Sequence, residues 1–553
     1  MKKVSYSLFT LFLAFSLVAC SDGDQKNQAN SSDDITVSEL DNHIKTLASD
    51  DYGGRAPGTS GGKKTVNYIK DQFKKAGLEP ANNGKWVQKV PLVKIKADSN
   101  TSVEVEGLGQ PVTLDNGGNA VVWTTHVKDK VNLKNSELVF VGYGIVAPQY
   151  GWNDYEDLDV EGKTVVMLVN DPGFATQDSS LFTGNAMTYY GRWTYKYEEA
   201  ARQGAEAAIV IHETDPAGYP WEVVSSNTGA QYHLAADDKN MDDVKVEGWF
   251  THEFANRLFK NIGTTYAEAK ESALEEDFEP IPLEASMSTT LNNNIEEIRS
   301  ENVAGILKGS KKPDETIIYT AHWDHLGTDP SLEGDQIYNG ALDNGSGIAG
   351  LIEMGEKFSS LENKPERSIL FLAVTAEESG LLGSQYYANN PIYPLGKTVA
   401  NINMDMLMAY GKTKDIVLVG YGMNDLQNYL EEAVKEQDRV VTAAPSPEEG
   451  MYFRSDHFSF AKKGVPALYT ESGINVLDGG KEQGRKLHEA FISNKYHKPA
   501  DEYDPNWDLS GMKQDFQLLY QVGHTLADSD NWPEWGENVS FRETRRETAD
   551  MRK

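Results

Sequence analysis

The chain is poor in cysteine, in basic residues and in long apolar runs. One cysteine in 553 residues excludes an intrachain disulfide and any zinc site built from several cysteines. Lys and Arg number 52 against 84 Asp and Glu, which gives a formal net charge of −32. Because a nucleic-acid-binding protein needs a basic face, this charge argues against nucleic acid as a partner. No apolar run reaches the ~20 residues that a membrane-spanning helix needs.

The chain is long and contains enough apolar residues to form hydrophobic cores. Hydrophobic residues make up 39% and aromatic residues 10% of the sequence, which is sufficient for large cores. The 553 residues exceed the ~100–200 residues of a usual domain. The composition therefore predicts an enzyme or binding protein with two or more domains.

The amino terminus has the pattern of a secretory signal peptide. A short basic start precedes an apolar run over residues 7–19, which is too short to span a bilayer as a helix. The run ends in LVAC at residues 17–20, which resembles a bacterial lipobox. That resemblance implies cleavage before Cys20 and attachment of lipid to its thiol, and an ordinary signal peptide with a chance cysteine is the alternative. The polar residues that follow, up to residue 34, predict a flexible tether.

Between residues 35 and 290 the sequence shows three different patterns of apolar residues. Residues 35–80 predict two helices joined by a glycine-rich loop, because apolar residues recur at helical spacing on both sides of it. Residues 86–126 show short β-like alternation. From about 130 to 290, buried strands and a helix predict a small α/β unit without a catalytic cluster.

After residue 300, strands and helices alternate, which predicts an α/β fold with a largely parallel sheet. In such sheets ligands bind beyond the carboxyl ends of the strands. Polar clusters fall near those points, and the candidates are residues 322–325 (HWDH), 343–347 (DNGSG), 376–380 (AEESG), 403–406 (NMDM) and 496–502 (YHKPADE).

The residue types in these clusters suit a catalytic metal site. Two histidines and several carboxylates without cysteine are the ligands of a catalytic zinc or a similar divalent ion. One such zinc needs only about three protein ligands and an open position. Five good candidates therefore indicate two metals that share one carboxylate, and two metals ~3.5–4 Å apart can hold a water and polarise a carbonyl together.

Taken in this order, the five clusters resemble the co-catalytic di-zinc aminopeptidases, metallopeptidases related to glutamate carboxypeptidase and glutaminyl cyclase. The resemblance covers residues 35 to about 125 and 295–530. It implies a three-layer α/β/α sandwich with a mixed, mainly parallel sheet. The glycine and aromatic pattern over residues 142–163 resembles the protease-associated domain that is inserted in this family. The alternative is that this segment belongs to the main sheet.

The resemblance implies a ligand role for each matching residue. Asp343 would be the bridging ligand. His322 and Asp405 would complete one metal site, and Glu378 and His497 would complete the other. Two divalent ions, zinc before any other metal, are the implied cofactors.

The resemblance also implies three catalytic roles. Glu377 would be the general base that takes a proton from the water bound to the two metals. Asp324 would orient His322 through its second ring nitrogen, and Tyr496 would help to stabilise the tetrahedral oxyanion. A base that touches metal-bound water cannot itself be a ligand, because it needs a free lone pair, and two adjacent glutamates in a turn can divide these tasks.

Two residues near position 455 have open roles. His457 is the rival of His497 as a metal ligand, and its alternative role is structural or in the substrate pocket. Arg454 is the local candidate for the arginine with which a glutamate-type carboxypeptidase would bind a substrate carboxylate. No Gly-x-Ser-x-Gly elbow follows a strand with suitable partners, which argues against a serine hydrolase.

The predicted organisation has six parts: a signal peptide (1–19), a lipidated Cys20 with a tether (20–34), the first part of the catalytic domain (35–129), an inserted protease-associated domain (130–290), the main catalytic part (291–535) and a charged tail (536–553). We expect an exported metallopeptidase that is lipid-anchored to the bacterial cell envelope, at the periplasmic face or the cell surface, and that removes amino-terminal residues from peptides. The lipid anchor is its only expected membrane contact. A glutamate-type carboxypeptidase and a receptor-like homologue without catalysis are the alternatives.

Overall fold

The structure is a computed structural model that describes residues 34–275 and 277–552. The predicted signal peptide, Cys20 and the predicted tether up to residue 33 lie outside the described residues. Over the residues that are described, no helix combines the length and the apolar character that crossing a bilayer requires.

The helices of the described residues lie before, within and after the predicted insertion. They are α1 (Val37–Leu47), α2 (Ser60–Lys75), α3 (Pro172–Thr176), α4 (Trp193–Arg202), α5 (Thr214–Ala217), α6 (Trp221–Ser225), α7 (His252–Asn261), α8 (Tyr266–Ser272), α9 (Gly345–Ser359), α10 (Leu382–Asn389), α11 (Leu426–Ala433), α12 (His457–Ala461), α13 (Gly480–Asn494), α14 (Ser510–Ala527) and α15 (Arg542–Glu547).

The strands of the described residues form two large sheets and two short hairpins. They are β1 (Glu79–Pro80), β2 (Val87–Ala97), β3 (Ser102–Glu106), β4 (Val112–Asp115), β5 (Ala120–Trp123), β6 (Lys130–Phe140), β7 (Val146–Ala147), β8 (Trp152–Asn153), β9 (Thr164–Leu168), β10 (Ala207–His212), β11 (Gln231–Leu234), β12 (Val246–Thr251), β13 (Ile281–Leu307), β14 (Lys312–His322), β15 (Gly327–Thr328), β16 (Ile337–Tyr338), β17 (Arg367–Val374), β18 (Thr398–Asn403), β19 (Asp415–Val419), β20 (Val440–Ala443) and β21 (Ala467–Ser472).

The first sheet contains the strands that the polar clusters follow. Its central strands run in the order β17–β14–β18–β21 and are parallel to one another. Strand β13 pairs antiparallel with β17, β19 pairs antiparallel with β21, and β20 is parallel to β19. The mixed, mainly parallel α/β fold predicted from the sequence is confirmed.

Helices cover both faces of the first sheet because successive side chains of a strand point to opposite faces. In β14, Ile317 and Tyr319 pack in one core, with residues of α1, α2, α9 and α14. Ile318, between them, packs in a separate core with Tyr387 of α10 and Phe460 of α12. The layers are therefore helix, sheet and helix.

The second sheet has the order β4–β3–β13–β6–β9–β10–β12–β5. The long strand β13 joins the two sheets, since its residues 281–292 pair with β3 and β6 and its residues 293–303 pair with β2. Strands β3, β4 and β5 lie in the second sheet, whereas the sequence prediction assigned residues up to 129 to the catalytic part. Alternation of apolar and polar residues identifies a strand but does not show which sheet the strand joins. The domain boundaries therefore stay a prediction.

Residues of the predicted charged tail (536–553) that the structure describes pack against the rest of the chain. Arg545 in α15 is 1% exposed, and its guanidinium donates to the carbonyl oxygen of Thr398 at 2.9 Å. Phe541 is buried beside Trp535. Aromatic and arginine side chains thus hold this segment against the sheet.

Candidate active site

Four of the predicted ligand or base residues lie at or just beyond the carboxyl ends of neighbouring parallel strands. His322 is the last residue of β14, Glu377 and Glu378 come just after β17, and Asp405 comes just after β18. Because β17, β14 and β18 are adjacent and parallel, their carboxyl ends meet at one edge of the sheet. The topology therefore brings together side chains that are up to 83 residues apart in sequence.

Asp343 reaches this edge from the loop before α9. Asn344 caps that helix, with its side-chain oxygen accepting from the N–H of Gly347 at 2.8 Å. A Cβ at Gly347 would collide with the Asn344 side chain and the carbonyl oxygen of Met404, so glycine is required there. The carboxylate of Asp501 accepts from the N–H of Asp343 at 3.0 Å and fixes the loop from the other side.

The first ligand set contains His322. Its Nε2 lies 3.1 Å from Oδ1 of Asp405 and 3.3 Å from Oδ1 of Asp343. The same atom lies 4.0 Å from Oε2 of Glu377. His322 is 1% exposed and Asp343 is 3% exposed, so the donor atoms converge in a buried spot.

The second ligand set contains His497. Its Nε2 lies 3.0 Å from Oε2 of Glu378 and 3.3 Å from Oδ2 of Asp343. The two oxygens of Asp343 therefore face different histidines. This is the arrangement that a carboxylate shared between two metals requires.

The donor set fits divalent metal ions. Atoms that could act as ligands lie within 4.8 Å of one another in two overlapping groups, one of His322, Asp343 and Glu378 and one of His322, Glu377 and Asp405. Imidazole nitrogen and carboxylate oxygen without thiolate are the ligands of catalytic zinc. Several buried carboxylates this close together repel one another unless positive charge lies between them, so the cluster itself calls for cations.

The electrostatics of the cluster agree with a cation site. Burial would lower the pKa of His497, but Glu378 and Asp343 raise it to about 10. Burial and Asp343 would raise the pKa of Glu378, but the imidazoles of His325 and His497 lower it to about 2. The protonated imidazole of His497 thus supplies positive charge of the kind that metals would supply to the same carboxylates.

Glu377 differs from the predicted ligands in its surroundings. Burial raises the pKa of Glu377 well above its usual value, and the negative charge of Asp405 adds to the shift. Its carboxylate lines a cleft beside the ligand cluster. A carboxylate with a raised pKa that faces a cleft is suited to accept a proton.

Asp324 contacts the second ring nitrogen of His322, as the resemblance implies, but through its main chain. The Nδ1 of His322 lies 3.1 Å from the main-chain carbonyl oxygen of Asp324, whereas the nearest carboxylate oxygen of Asp324 is 4.0 Å away. That carboxylate oxygen accepts instead from the N–H of Glu377 at 3.1 Å. Asp324 therefore orients His322 through its backbone and holds the turn of Glu377 through its side chain.

Tyr496 stacks on His497, with ring centroids 3.9 Å apart and an interplanar angle of 24°. It lines the same cleft. Burial, followed by the negative charge of Asp343, raises the pKa of Tyr496 well above its usual value. The phenol therefore keeps its proton and can donate a hydrogen bond.

The structure shows how three further residues support the site. Ser455 donates to Oδ2 of Asp405 at 2.6 Å and accepts from the Asn403 side chain at 2.8 Å. Nδ1 of His325 lies 2.5 Å from Oε1 of Glu378. The buried guanidinium of Arg55 donates to main-chain carbonyls of the site loops, at Trp323, Asn339 and Gly340. The sequence contains one indication of Ser455, which is that it lies in the segment singled out for His457.

His457 and Arg454, whose roles the sequence left open, lie in different surroundings. His457 is fully buried between Tyr452 and Tyr469, and neither ring nitrogen has a hydrogen-bond partner among the described residues. It does not line the cleft, so the predicted pocket role does not fit its position. Arg454 does line the cleft, and its Nη2 donates to the carbonyl oxygen of Glu449 at 2.8 Å.

The cleft has a volume of about 1020 Å³ and contains the ligand cluster. One wall comes from the segment before and within α4, with Arg192, Trp193 and Glu198. The other walls come from β21, α13 and residues 444–454. A cleft of this size is suited to a small-molecule or peptide substrate.

The residues that form the site lie in a stretch of the chain that matches a known family. Residues 302–520 match the profile of Peptidase family M28. This stretch is therefore similar to the M28 peptidases, and the resemblance predicted from the sequence is confirmed for these residues. They include every predicted ligand together with Glu377 and Tyr496.

The chain is similar to characterised proteins over part of its length. It is 28% identical to Aminopeptidase NAALADL1 of Mus musculus over 247 residues, which are 41% of this chain and 31% of that protein. It is 29% identical to Aminopeptidase YwaD of Bacillus subtilis over 206 residues, which are 36% of this chain and 39% of that protein. The matched stretch therefore spans about a third of these relatives. A solved aminopeptidase from Aneurinibacillus sp. strain AM-1 covers 91% of this chain and 95% of its own, with 19% identity and a TM-score of 0.49.

Proposed function

We propose that the protein is a metal-dependent aminopeptidase that hydrolyses the first amide bond of peptides with a free amino terminus. The observation that carries the proposal is the position of Asp343, whose two carboxylate oxygens each lie 3.3 Å from a different histidine. Two metals sharing one carboxylate are the centre on which the predicted hydrolysis depends. The matched relatives, Aminopeptidase NAALADL1 and Aminopeptidase YwaD, point to the same activity.

Five residues would hold the two metals. Asp343 would bridge, His322 and Asp405 would complete one site, and Glu378 and His497 would complete the other. When bound, the metals supply Lewis-acid chemistry that lowers the pKa of a water and polarises a carbonyl.

Glu377 would accept the proton of the attacking water at its carboxylate and return it to the leaving amine. Its raised pKa suits this exchange, because a base works best when its pKa lies near the working pH. The Tyr496 hydroxyl would donate to the oxygen on which negative charge develops. Asp324 would hold Glu377 in place through the Glu377 N–H.

Turnover of leucine-p-nitroanilide, measured beside hydrolysis of peptides with a carboxyl-terminal glutamate, tests the proposal. An aminopeptidase turns over the anilide and leaves an amino-terminally acetylated peptide intact. A glutamate-type carboxypeptidase does the reverse, and Arg454 in the cleft is the observation that favours this second candidate. The Glu377→Gln variant is the matched control for contaminating peptidases.

We also propose that the chain is exported and lipid-anchored through Cys20, and that the segment around residues 142–163 belongs to a protease-associated domain bordering the cleft. The lipobox-like end of the apolar run supports the anchor. The position of Arg192 and Trp193 on the cleft wall supports a bordering role for the inserted segment. Labelling with radioactive palmitate tests the anchor, since the label should appear on the wild-type chain and be absent from a Cys20→Ser variant.

A further inference from the structure

Two arginines from different parts of the chain share the wall of the cleft that holds the ligand cluster. Arg192 precedes α4, in the segment predicted to be inserted, and Arg454 follows residues 451–453 of the catalytic part. Arg192 is 9% exposed, which makes it the most deeply buried arginine on the wall of this cleft.

The two guanidinium groups lack the counter-charge that buried arginines normally have. In the described residues neither forms an ion pair, and the Nε of each is buried without a hydrogen-bond partner. Glu449 lies next to Arg454 but offers its main-chain carbonyl oxygen, at 2.8 Å, rather than its carboxylate. Lys462 on this wall, by contrast, forms an ion pair with Glu198 at 2.6 Å.

The two charges are close enough to repel each other. Burial, followed by the positive charge of Arg454, lowers the pKa of Arg192 to about 10, so Arg192 stays charged at neutral pH. The ring of Tyr219 lies beside both, with the Arg454 guanidinium carbon 5.9 Å from its centroid. Two unpaired positive charges in a chain with 84 acidic residues are a costly arrangement unless an anion enters from outside.

The pair lies in the same cleft as the ligand cluster but apart from it. Glu471 also lines this cleft, and the charges of Asp405, in the cluster, and of Glu449, whose carbonyl oxygen contacts Arg454, both act on it. Burial, then the charges of these two carboxylates, raise the pKa of Glu471 to about 7. Because the cluster and the two arginines line one cleft, a substrate whose scissile bond lies at the cluster can extend along the cleft toward the arginines.

We propose that Arg192 and Arg454 form a carboxylate-binding subsite for the peptide substrate. Guanidinium groups bind carboxylates through paired N–H donors, which suits an anion arriving between two of them. The inference rests on the proposed peptidase function and specifies its substrate class. The enzyme would prefer short peptides that present a carboxylate at a fixed distance from the scissile bond.

The carboxylate has two sources, the carboxyl terminus of a short peptide or an acidic side chain. Three peptides separate them: Leu-Gly-Gly, Leu-Gly-Gly-amide and Leu-Glu-Gly-amide. A higher kcat/KM for the first than for the second assigns the terminal carboxylate. A higher kcat/KM for the third than for the second assigns the side chain. We expect kcat/KM for Leu-Gly-Gly or for Leu-Glu-Gly-amide to exceed that for Leu-Gly-Gly-amide about tenfold, because only a carboxylate can form a charged hydrogen bond with the arginines.

Variants that remove one positive charge test whether Arg192 and Arg454 cause the preference for a peptide with a carboxylate. Arg192→Gln and Arg454→Gln should each reduce kcat/KM for the preferred peptide about tenfold, mainly through KM, and leave the amide unchanged. Arg192→Lys should keep part of the preference because it keeps the charge. Arg485→Gln is the matched control, because Arg485 is an exposed arginine on the same cleft and should have no effect on the ranking.

Equal kcat/KM for all three peptides, or an equal loss on all three in both variants, would overturn the subsite. Absence of cleavage of any of the three by the metal-loaded wild type would instead contradict the proposed aminopeptidase function. If Arg192→Gln does not fold, as judged by circular dichroism, Arg454→Gln and the wild-type peptide ranking still decide the question.

Discussion

Oδ2 of Asp343 lies 3.3 Å from Nε2 of His497, while its Oδ1 lies at the same distance from Nε2 of His322. One side chain thus faces two histidines that are 175 positions apart in the chain (497 − 322). The loop that carries Asp343 is fixed by Asp501 and by the start of α9. The proposed two-metal site depends on this side chain more than on any other.

Replacing Asp343 with alanine should remove both metals, because each site loses an oxygen ligand and the shared charge. Elemental analysis of the purified protein should fall from two equivalents of zinc to well below one. The matched control is Asp335→Ala, which removes an exposed acidic residue of the preceding loop and should leave the zinc content unchanged. Retention of two equivalents in Asp343→Ala would remove the bridging role.

Replacing Glu377 with glutamine should lower kcat by about 10²–10⁴-fold and leave zinc content near that of the wild type. The amide keeps the shape of the side chain but cannot accept a proton. Glu377 is also one of three residues in a group whose donor atoms could hold a metal. Loss of one zinc equivalent in this variant would therefore make Glu377 a ligand and not the base.

The two candidate histidines should differ sharply in metal retention. His497→Ala should lose zinc, since its Nε2 faces Glu378 and Asp343. His457→Ala should keep zinc but unfold at a lower temperature, because it leaves a cavity between Tyr452 and Tyr469. Zinc analysis and thermal denaturation of both variants check the ranking, and the reverse order would exchange the two assignments.

Ser455 should matter for metal affinity although it is not a ligand. Its hydroxyl donates to Asp405 at 2.6 Å, and removing such a support to a metal ligand costs about 10–100-fold in affinity or activity. Ser455→Ala should therefore release zinc to a chelator at a lower chelator concentration than the wild type. Ser459→Ala is a control on the same segment, where the hydroxyl contacts Ser384. Identical release curves for wild type and Ser455→Ala would contradict this role.

Glu247 should make the second sheet less stable as pH rises. Burial, then Asp243, raises its pKa to about 8 from 4.5, while Trp123 donates to it at 2.8 Å. Between these values the folded state binds more protons than the unfolded state, so this group's contribution to stability is complete below pH 4.5 and is lost as pH rises through 8. Glu247→Gln should raise Tm by about 2 °C at pH 8 and by little at pH 5. A Tm difference that does not depend on pH would contradict the shift.

The convergence of the candidate ligands could be predicted from the sequence because each lies at the end of a strand or in a loop beside one, whereas the ligand roles come from the family resemblance and stay a prediction. His322 and Asp405 follow apolar runs that could only be buried strands, and a parallel sheet brings such ends together. The alternation of strands and helices predicted after residue 300 is present in the structure, as β14, α9, β17, α10 and β18.

Other features depend on contacts that periodicity does not encode. Helix α13 is largely exposed and polar, so it has no clear apolar stripe. Ser455 and Arg192 matter because of what distant segments place beside them. The membership of β3 and β5 in the second sheet follows from pairing with β13 and β12, which alternation alone could not assign.

The most direct test of the central claim is a zinc titration of metal-free protein, followed by leucine-p-nitroanilide turnover at each step. We predict that activity rises with bound zinc and reaches its plateau at two equivalents, and that Glu377→Gln binds the same two equivalents without turnover. Full turnover in excess chelator, or a plateau with a single tightly bound equivalent and no second site, would contradict a two-metal peptidase.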